Sequence, residues 1–534
     1  MSMSEAKIEP EFKRPSLLLA LTPVVVLIAL LAVNVVLYSG DASYGPNQIA
    51  LILAAAVAAM AGWGLKVPFE RMLEGIKSSL GAALPAVLIL LLIGSLTGTW
   101  MLSGIVPAMI YYGLNVLEPS YFLVASVVIC SIVSVATGSS WSTVATVGIA
   151  LMGIGTALGA PAPMTAGAII SGAYFGDKLS PLSDTTNLAA AMAGTDLVAH
   201  IRYMLWTTIP SILITLGLFW YLGSTLDTSG ANPADVSALQ TVLADRFNIT
   251  PWLFLVPAAV LVMVMMKIDP LVALLVGTLL GALATVVAQP DVVQKLAHKT
   301  PPPNRSFLER STDSYMVSVN AMMDKVQMVP EDSLSAEEEA AAAKEDPAEK
   351  LVALNALSPE GRANVFSREL LSSKGMAGML NTIWLIICAM CFGGVMEACG
   401  MLQRITDTLI QFARSTGSLI ATTATTCLFL NFTASDQYLA IVVPGRMFRE
   451  TFEDRGLSPQ NLSRTLEDSG TVTSVLVPWN TCGAAQAAVL QVTTYAYAGY
   501  CFFNYLSPVM TVIFGFTGIA IAKLATAKGD DSKS

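Results

Sequence analysis

The sequence predicts an all-α polytopic membrane protein, and three observations support this fold class: its composition, its recurring apolar runs and an internal repeat. Hydrophobic residues make up 54% of the 534 residues and charged residues only 13%, and the mean hydropathy is +0.64. Soluble domains carry about 25% charged residues. This chain therefore has too few charges to cover a water-exposed surface, whereas lipid-facing helices need none.

The apolar runs predict roughly ten to twelve transmembrane helices. The first run is long enough for a full span, so we do not expect a cleavable signal peptide. The clearest runs are Leu17–Leu37, Gln48–Gly64, Leu84–Leu102, Tyr121–Ala136, Met204–Leu222, Pro251–Met266, Leu271–Ala288, Met379–Met396, Ser418–Phe432 and Ala498–Leu524.

Composition also predicts the domain organisation. One long segment is polar, with a proline-rich start and an Ala/Glu/Lys-rich centre of high helical propensity, so we expect an extramembrane insertion that is partly helical, partly disordered and dispensable for ion binding. The segments are an N-terminal tail (1–16), a first membrane repeat (17–223), a connecting loop (224–250), two spans that open the second repeat (251–288), the insertion (289–374), the rest of the second repeat (375–524) and a C-terminal tail (525–534).

An internal repeat relates the two halves. When the two halves are aligned without a gap, Gly98 matches Gly394, Gly104 matches Gly400, and Thr137-Gly-Ser-Ser matches Thr433-Ala-Ser-Asp. With an offset of one further residue, Pro181-Leu-Ser-Asp matches Pro478-Trp-Asn-Thr. Spans broken at corresponding points of two halves indicate the binding site of a secondary transporter. The alternative is a duplicated helical bundle whose kinks are only structural.

The stretch from Gly172 to Asn187 carries the most chemistry. Asp177 and Asp184 flank Ser180-Pro181, and the proline breaks the helix because it lacks a backbone donor. The freed carbonyls and the neighbouring side-chain oxygens are hard ligands that suit sodium, and a carboxylate among them can exchange the ion for a proton. The neighbouring candidates are Ser183, Thr185, Thr186 and Asn187.

Ionisable groups at membrane depth are costly and are functional by default. We expect Asp184 to lie in a buried ion site, because polar residues and then an apolar helix follow it. Asp177 stands beside Lys178, its possible ion-pair partner, and is expected at a more solvated edge. The alternative is a surface loop that joins two helices.

The second half repeats the pattern of acid, proline and amide. Glu467 and Asp468 precede the break at Pro478 and are expected near a helix end, with Asp468 kept as a candidate. Asn480 and Thr481 follow the break directly, so they are the better candidates for contact with an ion.

Two further breaks predict re-entrant hairpins. Ser139 and Ser140 end one span, and Ser435 and Asp436 end its counterpart. Irregular backbone at this depth is tolerated where it lines a cavity, and helix N-termini would point partial positive charge inward. An ordinary serine N-cap is the alternative for the first pair. The expected sodium ligands are Asp184, Asp436, Asn187 and Asn480.

These motifs resemble those of the NhaC family of sodium/proton antiporters, within the wider ion-transporter superfamily. The resemblance rests on Thr137–Thr143, Gly172–Asn187 and Val477–Thr481, and it extends over about Thr22–Leu524. It implies two inverted repeats with re-entrant hairpins and broken helices that meet near the membrane midplane. The family also contains exchangers of malate and lactate.

We therefore expect an inner-membrane antiporter in which sodium ions and protons compete for buried carboxylates with alternating access. A sodium- and proton-coupled organic-anion antiporter is the alternative, although the nearby cations are only Lys178 and Arg446. The sequence has no HExxH, GxSxG or nucleotide-binding loop, so an enzyme is not expected. The expected partners are sodium, protons, the bilayer and a second copy in a homodimer, with no cofactor and no nucleic acid.

Lysine and arginine flank the first two spans, which predicts that both flanks are cytoplasmic. Lys7, Lys13 and Arg14 precede the first span, and Lys66, Arg71 and Lys77 follow the second. A cysteine introduced as Lys77→Cys should react with a membrane-impermeant thiol reagent only from the cytoplasmic side. Labelling from the outside alone would show that this topology is wrong.

Overall fold

The computed structural model describes residues 13–38, 42, 44–226, 233–298, 306–328, 334–344, 352–354 and 356–524. These residues are almost entirely α-helical, which confirms the predicted fold class. Within the described ranges, the strands form a single two-stranded antiparallel sheet of β1 (Val326–Gln327) and β2 (Ser372–Ser373). Most of the predicted N-terminal (1–16) tail and the whole C-terminal (525–534) tail lie outside the described residues.

The first half begins with long helices and then becomes interrupted. Prolines at the first positions of several helices fix a helical φ where no backbone donor is needed. A π-helix, Val144–Gly148, joins α6 to α7. The helices are α1 (Leu17–Tyr38), α2 (Pro46–Gly64), α3 (Phe69–Leu102), α4 (Ile105–Gly113), α5 (Pro119–Thr137), α6 (Ser140–Thr143), α7 (Ile149–Ala157), α8 (Ala162–Leu179), α9 (Asp184–Ala193) and α10 (Leu197–Thr225).

The second half has a similar order, with the insertion placed inside it. A π-helix, Glu467–Thr471, and a 3₁₀ turn, Ser474–Leu476, prolong α22. The helices are α11 (Pro233–Arg246), α12 (Leu255–Met265), α13 (Pro270–Ala288), α14 (Pro290–Ala297), α15 (Phe307–Met323), α16 (Ala336–Ala342), α17 (Pro359–Leu370), α18 (Leu380–Ala398), α19 (Met401–Ile410), α20 (Thr416–Thr433), α21 (Leu439–Asp454), α22 (Pro459–Leu466), α23 (Thr481–Leu490), α24 (Thr494–Ala498) and α25 (Phe502–Thr517).

Eight helices of the described residues are long and apolar enough to cross a membrane, and a pair bent by 88°, Val236–Arg246 with Pro251–Met265, would make a ninth span. Other apolar helices, such as α25, are shorter than a full span. Together they make a multi-pass membrane protein. The eight spanning helices are Leu17–Tyr38, Pro46–Gly64, Phe69–Leu102, Pro119–Thr137, Ser140–Ala157, Leu197–Thr225, Pro270–Ala288 and Ala377–Ala398.

The element boundaries follow the repeat that the sequence predicts. Helices α5 and α20 end at corresponding threonines, and α9 and α23 have matching first and last residues. Gly104 and Gly400 begin corresponding helices with φ values of 79° and 68°. Gly194 and Gln491 end α9 and α23 with φ values of 76° and 55°. The two halves thus share one backbone plan, including its left-handed turns.

One sequence-based boundary is wrong. The last span was expected over Ala498–Leu524, but α25 stops at Thr517 because Gly518 takes a φ of 76° and ends the helix. The apolar residues that follow pair with another loop, since Leu524 N donates to Gly456 O at 2.8 Å. The connecting loop 224–250 also contains the helix α11.

Helix α15 of the insertion and the residue that follows the insertion are docked on α3 at two glycines, Gly94 and Gly98. A Cβ at Gly98 would lie 1.8 Å from Ala321 O, and one at Gly94 would lie 2.5 Å from Gly375 O. Ser95 Oγ also donates to Met322 O at 3.3 Å. The absence of side chains at these two positions thus lets the backbone of α15 and of the loop after β2 approach α3 closely.

Gly98→Ala should detach this contact. The new methyl group would overlap the α15 backbone, so we expect a lower melting temperature in detergent and faster limited proteolysis of the insertion. Gly81→Ala is the matched control on the same helix, because its Cβ would meet no atom within 4 Å. That control should be slightly stabilising, by up to about 1 kcal/mol. Equal stability of the two variants would contradict the docking.

Candidate functional site

A cavity of about 650 Å³ is lined by the helix breaks of both halves. It extends from Asp177 and Asp436, which are 5% and 2% exposed, to the exposed residues Lys267 and Asp269 in the loop between α12 and α13. Asp184 adds a further carboxylate to its wall. The cavity therefore connects the surface with three of the acids that the sequence singles out.

Asp177 joins a broken helix to a re-entrant hairpin. It lies in the last turn of α8, and its Oδ2 accepts hydrogen bonds from Ser140 N at 3.1 Å and from Ser140 Oγ at 2.7 Å. Hydrogen bonds to a charged acceptor are about twice as strong as neutral ones. The expectation that Asp177 lies at a solvated edge is wrong, because Ser140 and the neighbouring helices enclose it.

Lys178 is paired across the two halves of the chain. Its ammonium forms an ion pair with Asp468, donates to Ser507 Oγ at 3.0 Å and lies 5.7 Å from the centre of the Phe503 ring. Both charged side chains are fully buried. The expected partner was Asp177, which instead faces Ser140.

The sequence predicted that Glu467 and Asp468 lie near a helix end, and this prediction is wrong. They begin the π-helix in the middle of a continuous helical run from Pro459 to Leu476, and both are fully buried. A π-helix is rare and often marks a functional site, but apolar periodicity does not reveal it. The position of these two acids therefore could not be read from the sequence.

The sequence predicted a buried position for Asp184, but this side chain is exposed and lines the cavity. It is the first residue of α9, and it accepts a hydrogen bond of 2.7 Å from Tyr438 OH of the second hairpin. The break at Pro181 directs the start of α9 towards the open space. Asp184 thus remains a candidate ion-binding group, but a solvated one.

The four neighbours of Asp184 divide between the cavity and the scaffold. Thr185 and Asn187 line the cavity. Ser183 caps α9 by accepting from Thr186 N at 3.4 Å, and Thr186 Oγ1 donates to Lys178 O at 3.1 Å. Ser183 and Thr186 therefore hold the break in place without lining the cavity.

The second hairpin contributes a buried acid. Asp436 Oδ1 accepts from Leu439 N at 3.0 Å at the start of α21. Ser435 has a φ of 60°, which is unusual for a residue other than glycine, and its carbonyl accepts from Thr481 N at 3.0 Å. Thr481 lines the cavity beside Asp436.

Asn480 is a structural residue in this conformation. Its Oδ1 caps α23 by accepting from Cys482 N at 3.0 Å, and its Nδ2 donates to Asn431 O at 3.0 Å. It does not line the cavity among the described residues. Ser139 combines both predicted roles, since it caps α6 through Ser142 N at 3.2 Å and also lines the cavity.

The repeat exchanges an acid for a hydroxyl at three matched positions. Ser140 of the first half matches Asp436, and Asp177 matches Ser474. Asp184 matches Thr481, the residue with which α23 begins. Each pair of matched positions therefore contains one carboxylate and one hydroxyl. Of these six positions, three carry an acid, and all three acids line the cavity.

Comparison with known proteins identifies the class. The model of the Na+/H+ antiporter family matches residues 172–298 and 361–519, which include both helix breaks. The chain belongs to this family and is a transporter, not an enzyme.

Three relatives match nearly the whole chain. It is 34% identical to the Na(+)/H(+) antiporter NhaC of Alkalihalophilus pseudofirmus over 90% of this chain and 93% of that protein. It is 33% identical to a malate-2H(+)/Na(+)-lactate antiporter of Bacillus subtilis, over 89% and 90% of the two chains. It is 34% identical to the arginine/ornithine antiporter ArcD of Halobacterium salinarum, over 96% and 93%.

The ion pair between Lys178 and Asp468 should behave as a coupled unit. Lys178→Met or Asp468→Asn alone leaves an uncompensated buried charge and should cost about 3–5 kcal/mol. The double variant should be more stable than either single one, as measured by melting temperature in detergent.

An exposed pair serves as the control for this cycle. Arg449 and Glu453 are 3.2 Å apart, with side chains 49% and 47% exposed. Arg449→Met should change stability by less than about 1 kcal/mol. If the losses from Lys178→Met and Asp468→Asn simply add, the pairing is wrong.

Proposed function

We propose that this transporter exchanges sodium ions for protons across the inner membrane. Asp177, Asp184 and Asp436 are the carboxylates for which the two ions compete, with hydroxyl and amide oxygens around them completing the coordination of sodium. A carboxylate that holds a proton loses its charge and binds sodium weakly, so occupancy by one ion excludes the other. Alternating access of the cavity to the two sides would then couple the fluxes.

The charge of the cavity is the observation that supports this proposal. Four aspartates line it, and Lys267 is the only basic residue among the described residues of its wall. Lys267 lies at the exposed end beside Asp269, whereas Asp177 and Asp436 lie at the buried end. A wall of this sign attracts cations and disfavours anions, most strongly where water is excluded.

The organic-anion alternative lacks a cationic partner at depth. A carboxylate substrate needs positive countercharge or backbone donors at its binding place. Neither Lys178 nor Arg446 lines the cavity, and Lys178 is already neutralised by Asp468. The similarity to a malate/lactate exchanger nevertheless makes this alternative the one to test directly.

Proteoliposomes that contain a pH-sensitive dye test the proposal. Addition of sodium to one side should drive proton movement, and addition of malate or lactate without sodium should not. Lithium and potassium would define the selectivity in the same assay. Proton movement that requires an organic acid would overturn sodium-for-proton exchange in favour of the alternative.

Asp184→Asn should abolish sodium-dependent proton flux, because it preserves size and removes the ionisable group. Asp177→Asn and Asp436→Asn should be equally severe, since both carboxylates lie at the buried end of the cavity. Flux is measured against sodium concentration at several pH values, with Glu74→Gln on the exposed start of α3 as a control. Exchange like that of the wild type in the Asp184 variant would remove this residue from the site.

A further inference from the structure

Glu467 has no part in the site described above, yet its carboxyl group lies next to the cavity. Its side chain is fully buried, and its Oε1 accepts a hydrogen bond of 3.2 Å from Thr185 Oγ1. Thr185 itself lines the cavity, and its hydroxyl is also 3.0 Å from Ser183 Oγ. One hydroxyl therefore separates Glu467 from the space that the transported ions reach.

The second oxygen of Glu467 lacks a partner. Glu467 Oε2 is buried and has no hydrogen bond within the part of the chain that the structure describes, and the same holds for Thr471 Oγ1. Thr471 lies four residues further along the same π-helix, which places the two side chains next to each other on its surface. Buried polar oxygens are normally satisfied, and either a proton on Glu467 or a bound cation would satisfy these two neighbouring oxygens together.

Two basic side chains in this region, Lys178 and Arg464, are fully buried, and neither is hydrogen-bonded to Glu467 among the described residues. Lys178 is held by Asp468 and Ser507. Arg464 donates to Ala520 O at 3.0 Å and lies 4.6 Å from the centre of the Tyr203 ring, while its Nε and Nη2 have no hydrogen-bond partner in the part of the chain that the structure describes. A buried carboxylate is strongly unfavourable unless a proton or a cation neutralises it, and within the described ranges neither Lys178 nor Arg464 is hydrogen-bonded to Glu467. Glu467 is therefore a place where a proton and a cation can replace each other.

We propose that Glu467 forms a second, deeper binding site for a monovalent metal cation of the size of sodium. Its Oε2 and Thr471 Oγ1 are the orphaned ligands, and Thr185 stands between them and the cavity. Carboxylate and hydroxyl oxygens are the hard ligands that such cations prefer. This inference rests on the proposed sodium transport. It adds a second sodium-binding site behind the one in the cavity.

Equilibrium binding of radioactive sodium to the purified full-length protein tests it. Glu467→Gln should bind one sodium ion fewer per chain than the wild type, and Glu467→Asp should restore part of the loss. Thr471→Val keeps the side-chain shape and removes one ligand, so it should weaken the deeper site by about tenfold. Glu74→Gln, at an exposed carboxyl group, should leave both the stoichiometry and the affinity unchanged.

The possible failures are distinguishable. Unchanged stoichiometry in folded Glu467→Gln overturns the deeper site and leaves sodium transport intact. Loss of all bound sodium also overturns it, because Glu467 would then belong to the cavity site. No binding to the wild type would refute the proposed function itself. If Glu467→Gln does not fold, as judged by gel filtration and melting temperature, unchanged affinity in Thr471→Val overturns the deeper site.

Discussion

A helix can be interrupted inside a membrane only where something replaces its lost backbone hydrogen bonds, because lipid supplies no donors or acceptors. At the first break, Asn187 Nδ2 donates to Pro181 O at 3.1 Å, and Ser180 Oγ donates to Val135 O at 2.8 Å. At the second, Trp479 Nε1 donates to Phe432 O at 2.8 Å. These polar side chains make the breaks stable, and the breaks in turn create the cavity.

Duplication explains how one chain builds two such breaks and still obtains an asymmetric site. The backbone plan is the same in both halves, down to the left-handed residues that end α9 and α23. The chemistry is divided, because Ser140 donates to Asp177 while its counterpart Asp436 is itself a carboxylic acid that accepts from Leu439 N. A symmetric set of acids would have gathered twice the negative charge in one low-dielectric space, at a large electrostatic cost.

The sequence predicted the fold class, the repeat and both helix breaks, since these depend on composition, spacing and proline. It could not predict which side of a break faces water. Asp177 and Asp184 flank the same proline, yet the first is buried and the second is exposed. The difference depends on how the neighbouring helices pack around each side chain, which the local sequence does not contain. The role of Glu467 was also hidden, since its contact with Thr185 joins residues far apart in the chain.

The ion pair between Lys178 and Asp468 also constrains how the protein is made. Its members are 290 residues apart, so the ribosome completes the whole first repeat long before Asp468 exists. During that interval the ammonium of Lys178 has no native counterion, and a buried position for it would be strongly unfavourable. Until the second repeat inserts, we expect the end of α8 to keep contact with water or to hold Lys178 in its neutral form. Burial of this charged side chain thus depends on the second half of the chain.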